Sequence, residues 1–125
     1  MGCFYVGFNY FRRKNGIFKL GETGKDTPAE RLAGIRRNEH FQCLGWIKMP
    51  KATKAERLAV ESYARLKVSY LFEHVQNDHF LYNITPNRKY EQAQEIAKLT
   101  IGYAVEACNL YNIPYSLGNK EYKRG

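Results

Sequence analysis

The sequence predicts a small α/β sandwich, an antiparallel sheet of about three strands flanked by helices, with an additional long C-terminal helix. Three observations carry this expectation. Two short segments rich in aromatic and branched residues open the chain around a basic connection, as the strands of a β-hairpin do. Two Thr-x-x-Glu signatures announce helix starts, and a stripe of small and apolar residues at three and four residue steps marks a third, longer helix. A chain of 125 residues is one domain by length, with room for a single core. We expect that domain over residues 1–114, followed by a basic polar tail over residues 115–125.

The first strand is Cys3-Phe4-Tyr5-Val6-Gly7-Phe8 and the second is Gly16-Ile17-Phe18-Lys19-Leu20-Gly21. Asn15-Gly16 between them is a strong two-residue turn signal. A turn there would set Lys19 opposite Arg12, whereas a wider loop centred near Arg12 would set Lys19 opposite Tyr5. Thr27-Pro28-Ala29-Glu30 supplies an N-cap, a first-position proline and a capping-box acid, so Arg31 falls about one turn inside a first helix. Phe41 to Lys48 reads as a third strand, with Phe41, Cys43, Gly45 and Ile47 alternating against Gln42, Leu44, Trp46 and Lys48.

Thr53-Lys54-Ala55-Glu56 repeats the capping signature and opens a second helix from about Lys54 to Phe72. Glu73 to Asp78 reads as a polar connection, and Phe80 to Ile84 as a short strand. Thr85-Pro86 then caps a third helix to about Asn112, where Ile113-Pro114 stops it. Its stripe is Tyr90, Ala93, Ala97, Ile101, Ala104, Cys108 and Tyr111. Internal repeats, a Gly-rich phosphate loop and a low-complexity linker are all absent from the sequence.

The composition is that of an ordinary globular chain, 44% hydrophobic and 26% charged, with no apolar run near the ~20 residues that span a bilayer. Met1-Gly2-Cys3-Phe4 leads into a strand rather than a signal sequence, and Val6 breaks the myristoylation pattern that Gly2 begins. A cytoplasmic protein is expected. Cys3, Cys43 and Cys108 are widely spaced and odd in number, so we expect buried thiols and no disulfide partner. The Glu73-His74 and Asp78-His79 pairs carry metal-ligand types but sit in the polar connection between helix and strand.

A formal net charge of +8 makes nucleic acid the default partner, because a basic surface gains counterion release from each phosphate it neutralises. Basic residues cluster in Arg12-Arg13-Lys14, Arg36-Arg37, Lys48 to Lys54 and Lys120 to Arg124. Lys25 joins them after the second strand. With Tyr5 on one strand, Lys19 on the next and Arg31 on a capped helix, a phenol, an ammonium and a guanidinium could converge on one phosphate.

Phe4-Tyr5-Val6 and Lys19-Leu20-Gly21, in that order and followed by Thr23-Gly24-Lys25, Arg31 and a helical glutamate, resemble the GIY-YIG nuclease superfamily over roughly residues 3 to 84. The closest likeness is to its phage and mobile-element branches, in which Lys replaces the second-motif Tyr. The resemblance implies a metal-dependent DNA endonuclease cutting duplex or branched DNA. Tyr5 would be the general base, Lys19 its activator, and Arg31 the ligand of the scissile phosphate, which its planar fork suits. One divalent ion, Mg²⁺ or Mn²⁺, would be held by one carboxylate of the second helix, with water and phosphate oxygens completing its shell.

Two acids compete for that role. Glu61 lies mid-helix in a largely apolar stretch, and Glu56 is accounted for by the capping box, so Glu61 is preferred. Asn83 resembles the late Asn that several family members place beside the phosphate. Ile35 stands where the family often has a His, which disfavours a relay through that position. The contrasting expectation is a catalytically silent module of the same type, binding nucleic acid or a protein partner. A structural protein of a phage or integrated element, and a homodimer, are also compatible with the sequence.

Overall fold

The computed structural model describes residues 2–9, 15–28, 42–76 and 78–118. In chain order these form β1 (Cys3–Asn9), β2 (Asn15–Thr23), β3 (Gln42–Lys48), α1 (Lys54–Ser69), β4 (Glu73–Gln76), β5 (His79–Asn83), α2 (Lys89–Tyr111) and β6 (Ser116–Leu117). The expected helix carrying Arg31, Ile35, Arg36 and Arg37 lies outside the described residues beyond its first two positions, and so do Arg12, Arg13 and Lys14.

The chain is α/β, and its sheet is larger than the three strands expected. Among the described residues six strands pair antiparallel in the order β4-β5-β2-β1-β3-β6. The expected β2, β1 and β3 are the centre, the short strand expected at Phe80 to Ile84 joins beside β2 as β5, and the additions, β4 and β6, sit at the two edges. β4 leaves no mark in the sequence because all four of its side chains are exposed. It is held by backbone pairing to β5, so no burial alternation records it. β6 pairs with Ile47 and Lys48, and Gly118 N–H donates to the Trp46 carbonyl at 2.8 Å.

β1 lies at the centre, and all seven of its residues are buried, as a strand covered on both faces requires. Phe4, Val6 and Phe8 point to the helix side, where Phe18, Leu20, Ile47 and Phe80 join them. Phe18 is the hub of this core. Its ring stacks on Phe8 at 5.4 Å and on Phe80 at 5.5 Å, and meets the edge of Phe72 at 5.1 Å. α1 lays Val60, Ala64 and Val68 into the same cluster, and α2 adds Ala93, Ala97, Ala104 and Ala107. Both described helices therefore cover one face.

The opposite face holds a second, smaller cluster of Cys3, Tyr5, Cys43 and Trp46, with Ile17 against it. Simple alternation along β3 would put Cys43 and Trp46 on opposite faces. The pairing slips between Val6 and Gly7, so that Val6 faces Gly45 while Gly7 faces Cys43. The extra residue is Leu44, and this bulge turns Cys43 and Trp46 to the same side.

The helix ends follow local chemistry. Thr53 Oγ1 accepts from the Glu56 N–H at 3.1 Å, and Glu56 Oε1 accepts from the Thr53 N–H at 2.8 Å, completing the capping box. α1 stops at Ser69 rather than Phe72: the Tyr70 and Leu71 amides bond three residues back, to the Lys67 and Val68 carbonyls, which tightens the last turn, and Phe72 lies against Phe18. α2 starts at Lys89, later than Thr85-Pro86 suggests. Those residues form a turn instead: Arg88 N–H donates to the Thr85 carbonyl at 3.1 Å and Asn87 has φ 66°. A proline followed by a left-handed residue suits a type II turn. At the far end Asn112 takes the left-handed conformation and closes the helix onto Cys108, as C-terminal caps do.

Candidate active site at the β1–β2 strands

The β1–β2 register decides which side chains meet. Asn9 pairs with Ile17, Gly7 with Lys19 and Tyr5 with Gly21. The two-residue turn at Asn15-Gly16 is therefore not formed, and those residues pair with Asn83 and Tyr82 of β5 instead. The register is centred on position 13, one residue beyond the centre that would set Lys19 opposite Tyr5. Lys19 stands two residues from direct opposition to Tyr5, as its diagonal neighbour on the same face, a distance that long side chains bridge.

Lys19 makes that contact. Its Nζ lies 5.8 Å from the centroid of the Tyr5 ring. Gly21 makes room for the phenol, since a Cβ there would come within 2.9 Å of Tyr5 Cε1 and closer still to Cζ and Oη. Tyr5 is 0% exposed and Lys19 5%. The ammonium is also held from outside the hairpin: Asp78 Oδ2 lies 2.8 Å from Lys19 Nζ, and Asp78 Oδ1 lies 3.1 Å from His79 Nδ1. The Asp78 carbonyl accepts the Leu20 N–H at 3.0 Å. Burial works against the Asp78 charge, but hydrogen bonds from His79 and Lys19 outweigh it and hold the carboxyl well below the usual range.

Glu61 is half-buried on α1, 3.2 Å from Arg65 one turn on. Burial raises its pKa first and the Asp78 charge second, while Arg65 and Lys19 pull it down and Glu22 pushes it up. Its helix covers the face of the sheet opposite Tyr5, so the Asp78 and Lys19 charges act on it from a distance. A carboxylate destabilised by burial and by other acids is one that a divalent cation would favour, so Glu61 fits a one-carboxylate Mg²⁺ or Mn²⁺ ligand. Among the described residues no group of three or more His, Cys, Asp and Glu could hold a metal ion. Glu56 is occupied by its cap.

Asn83 is on β5 four residues beyond His79, which pairs with Lys19. At about 3.3 Å per residue this places it roughly 13 Å along the strand from Lys19. It is exposed, and its carbonyl accepts from Gln92. Lys25 is exposed in the bend after β2, its N–H donating to Thr23 Oγ1 at 3.2 Å. Tyr5 and Lys19 thus meet on one face of the sheet, Glu61 comes from α1 on the other face, Asn83 stands apart from them, and Arg31 lies outside the described residues.

Sequence reasoning missed Asp78, whose only signal was a neighbouring His in a polar connection. It also missed Arg57, which sits buried on α1 with Nε 2.8 Å from Glu22 and Nη1 3.1 Å from the Ala52 carbonyl. That fork ties the start of α1 to β2. The three cysteines are free and buried, as expected. No described helix is long and apolar enough to cross a membrane. Comparison with protein-family models, curated proteins and solved structures finds no match to the chain.

Proposed function

We propose that the chain is a metal-dependent DNA endonuclease of GIY-YIG type. The single observation that supports this reading best is the Lys19 ammonium over the face of Tyr5 on an adjacent antiparallel strand, 5.8 Å from the ring centroid. Glu61 stands on α1, over the opposite face of the sheet, and feels the charge of the same lysine only weakly, after burial, Asp78 and Arg65. In this reading Tyr5 takes a proton from the attacking water, Lys19 favours the phenolate and Arg31 binds the scissile phosphate. Mg²⁺ or Mn²⁺ held by Glu61 would supply charge neutralisation on the phosphoryl oxygens. Lys25 and the basic residues Arg12, Arg13, Lys14, Arg36 and Arg37 would hold the DNA backbone.

A second reading, a catalytically silent DNA-binding module of the same type, is favoured by a specific observation. Tyr5 is fully buried and Lys19 is paired with a carboxylate at 2.8 Å, whereas a general base must reach its water. Cleavage assays on duplex, single-stranded and branched DNA with each metal separate the two. The nuclease reading expects cutting that Tyr5→Phe, Arg31→Ala and Glu61→Gln each slow by about a hundredfold. It also expects binding that weakens with salt at a slope of about 0.9 per phosphate contact. Salt-dependent binding without cleavage selects the silent module, and absence of binding at low salt removes both.

A further inference from the structure

We propose that Asp78 is a positioning residue that holds Lys19 and cancels its charge at Tyr5, making the Lys19–Asp78 pair an autoinhibitory contact on the phenol. The inference rests on the reading of Tyr5 as the base. Asp78 is fixed at three points, by Lys19 Nζ at 2.8 Å, by His79 Nδ1 at 3.1 Å and through its carbonyl by the Leu20 N–H at 3.0 Å. An ammonium with a carboxylate against it presents a dipole, whose field falls off faster than that of a charge.

Among the described residues the other titratable groups nearby do not restore the lost charge. Cys3 shares the cluster with Tyr5, and burial followed by the Cys43 thiol pushes it up to about 12, so it stays neutral. On α1, Glu61 is paired with Arg65, and Arg57 with Glu22 of β2. His79 faces the far oxygen of Asp78. Lys19 is thus a cation seated on Tyr5, and Asp78 is the group that decides how much of it the phenol feels. Released from its partner, an ammonium about 6 Å from a phenol would lower the phenol pKa by about two pH units at an effective dielectric constant of about 20.

The test places fluorotyrosine at position 5 of the full chain and titrates it by ¹⁹F NMR in the wild type, Asp78→Asn and Lys19→Gln/Asp78→Asn. Asp78→Asn should lower the phenol pKa by about one to two units, and the double variant should return it to within about half a unit of wild type. An unmoved phenol in Asp78→Asn, or a double variant more than about one unit above wild type, overturns the proposal. The double variant leaves no unpaired charge, so it carries the test alone if the single variant fails to fold.

Cleavage is measured across pH in parallel, and the rising limb of the Asp78→Asn profile should move to lower pH by the same amount as the phenol. A shifted phenol in a protein that never cuts DNA upholds the charge cancellation and sinks the nuclease reading. Cutting with an unmoved phenol does the reverse.

Discussion

Gly21→Ala should cost stability through one ring. Gly21 faces Tyr5 in the β1–β2 register, and the added Cβ would come within 2.9 Å of Tyr5 Cε1. Relaxed carbon contacts lie at about 3.5–4.0 Å, so the phenol would have to withdraw by roughly 1 Å. It has nowhere to go, being 0% exposed and enclosed by Cys3, Cys43 and Trp46. Overpacking of this kind costs about 1–3 kcal/mol, set against about 0.4–1 kcal/mol gained from a less flexible unfolded chain. No described glycine has a positive φ, so the glycine is there for space and not for backbone conformation. The net expectation is a loss of about 1–2 kcal/mol. Urea denaturation of Gly21→Ala, Tyr5→Leu and the double variant measures it as a cycle. The loss should nearly vanish in the Tyr5→Leu background. A Gly21→Ala protein as stable as wild type, or an equal loss with and without the ring, would refute the reasoning.

Three further outcomes follow from the same geometry. Thr53→Ala breaks the capping box of α1 and should cost about 1 kcal/mol in urea denaturation. Asp78 has a depressed pKa in the folded protein, so its contribution is complete above about pH 4 and fades as pH falls through the folded value. Asp78→Asn should therefore destabilise at neutral pH, by an amount between the ~1 kcal/mol of exposed pairs and the ~3–5 kcal/mol of buried ones, and by less in acid. Glu61 has the opposite sign: its raised pKa penalises the ionised form, so stability grows as pH falls from neutral through the folded pKa. Glu61→Gln should raise stability at neutral pH and flatten the curve on that side, and a loss at neutral pH would contradict it.

How much of this was legible in the sequence depends on whether a feature is local. The α1 cap is written in four consecutive residues, Thr53 to Glu56, and appears as written because its two hydrogen bonds need nothing from elsewhere. The central strand is legible for a similar reason, since a strand covered on both faces shows as an unbroken apolar run. Asn15-Gly16 carried an equally local signal and was overridden. β5 supplied pairing partners for both residues, and extended pairing outweighed a turn that the dipeptide alone would favour.

The bulge at Leu44 is invisible for a complementary reason. Alternation along β3 is intact in the sequence, and only the pairing with β1 shows that Cys43 and Trp46 share a face. The candidate site divides along the same line. Tyr5 and Lys19 come from one hairpin, and the residue types fixed that they could meet once the loop was wide. Asp78 comes from 59 residues beyond Lys19, in a stretch whose polarity is that of any surface connection. A buried ammonium needs a partner, so the burial of Lys19 entails an acid somewhere in the chain. Hydrophobic patterning can bury Lys19, but it cannot name the acid, because a salt bridge between distant segments leaves no period in either of them.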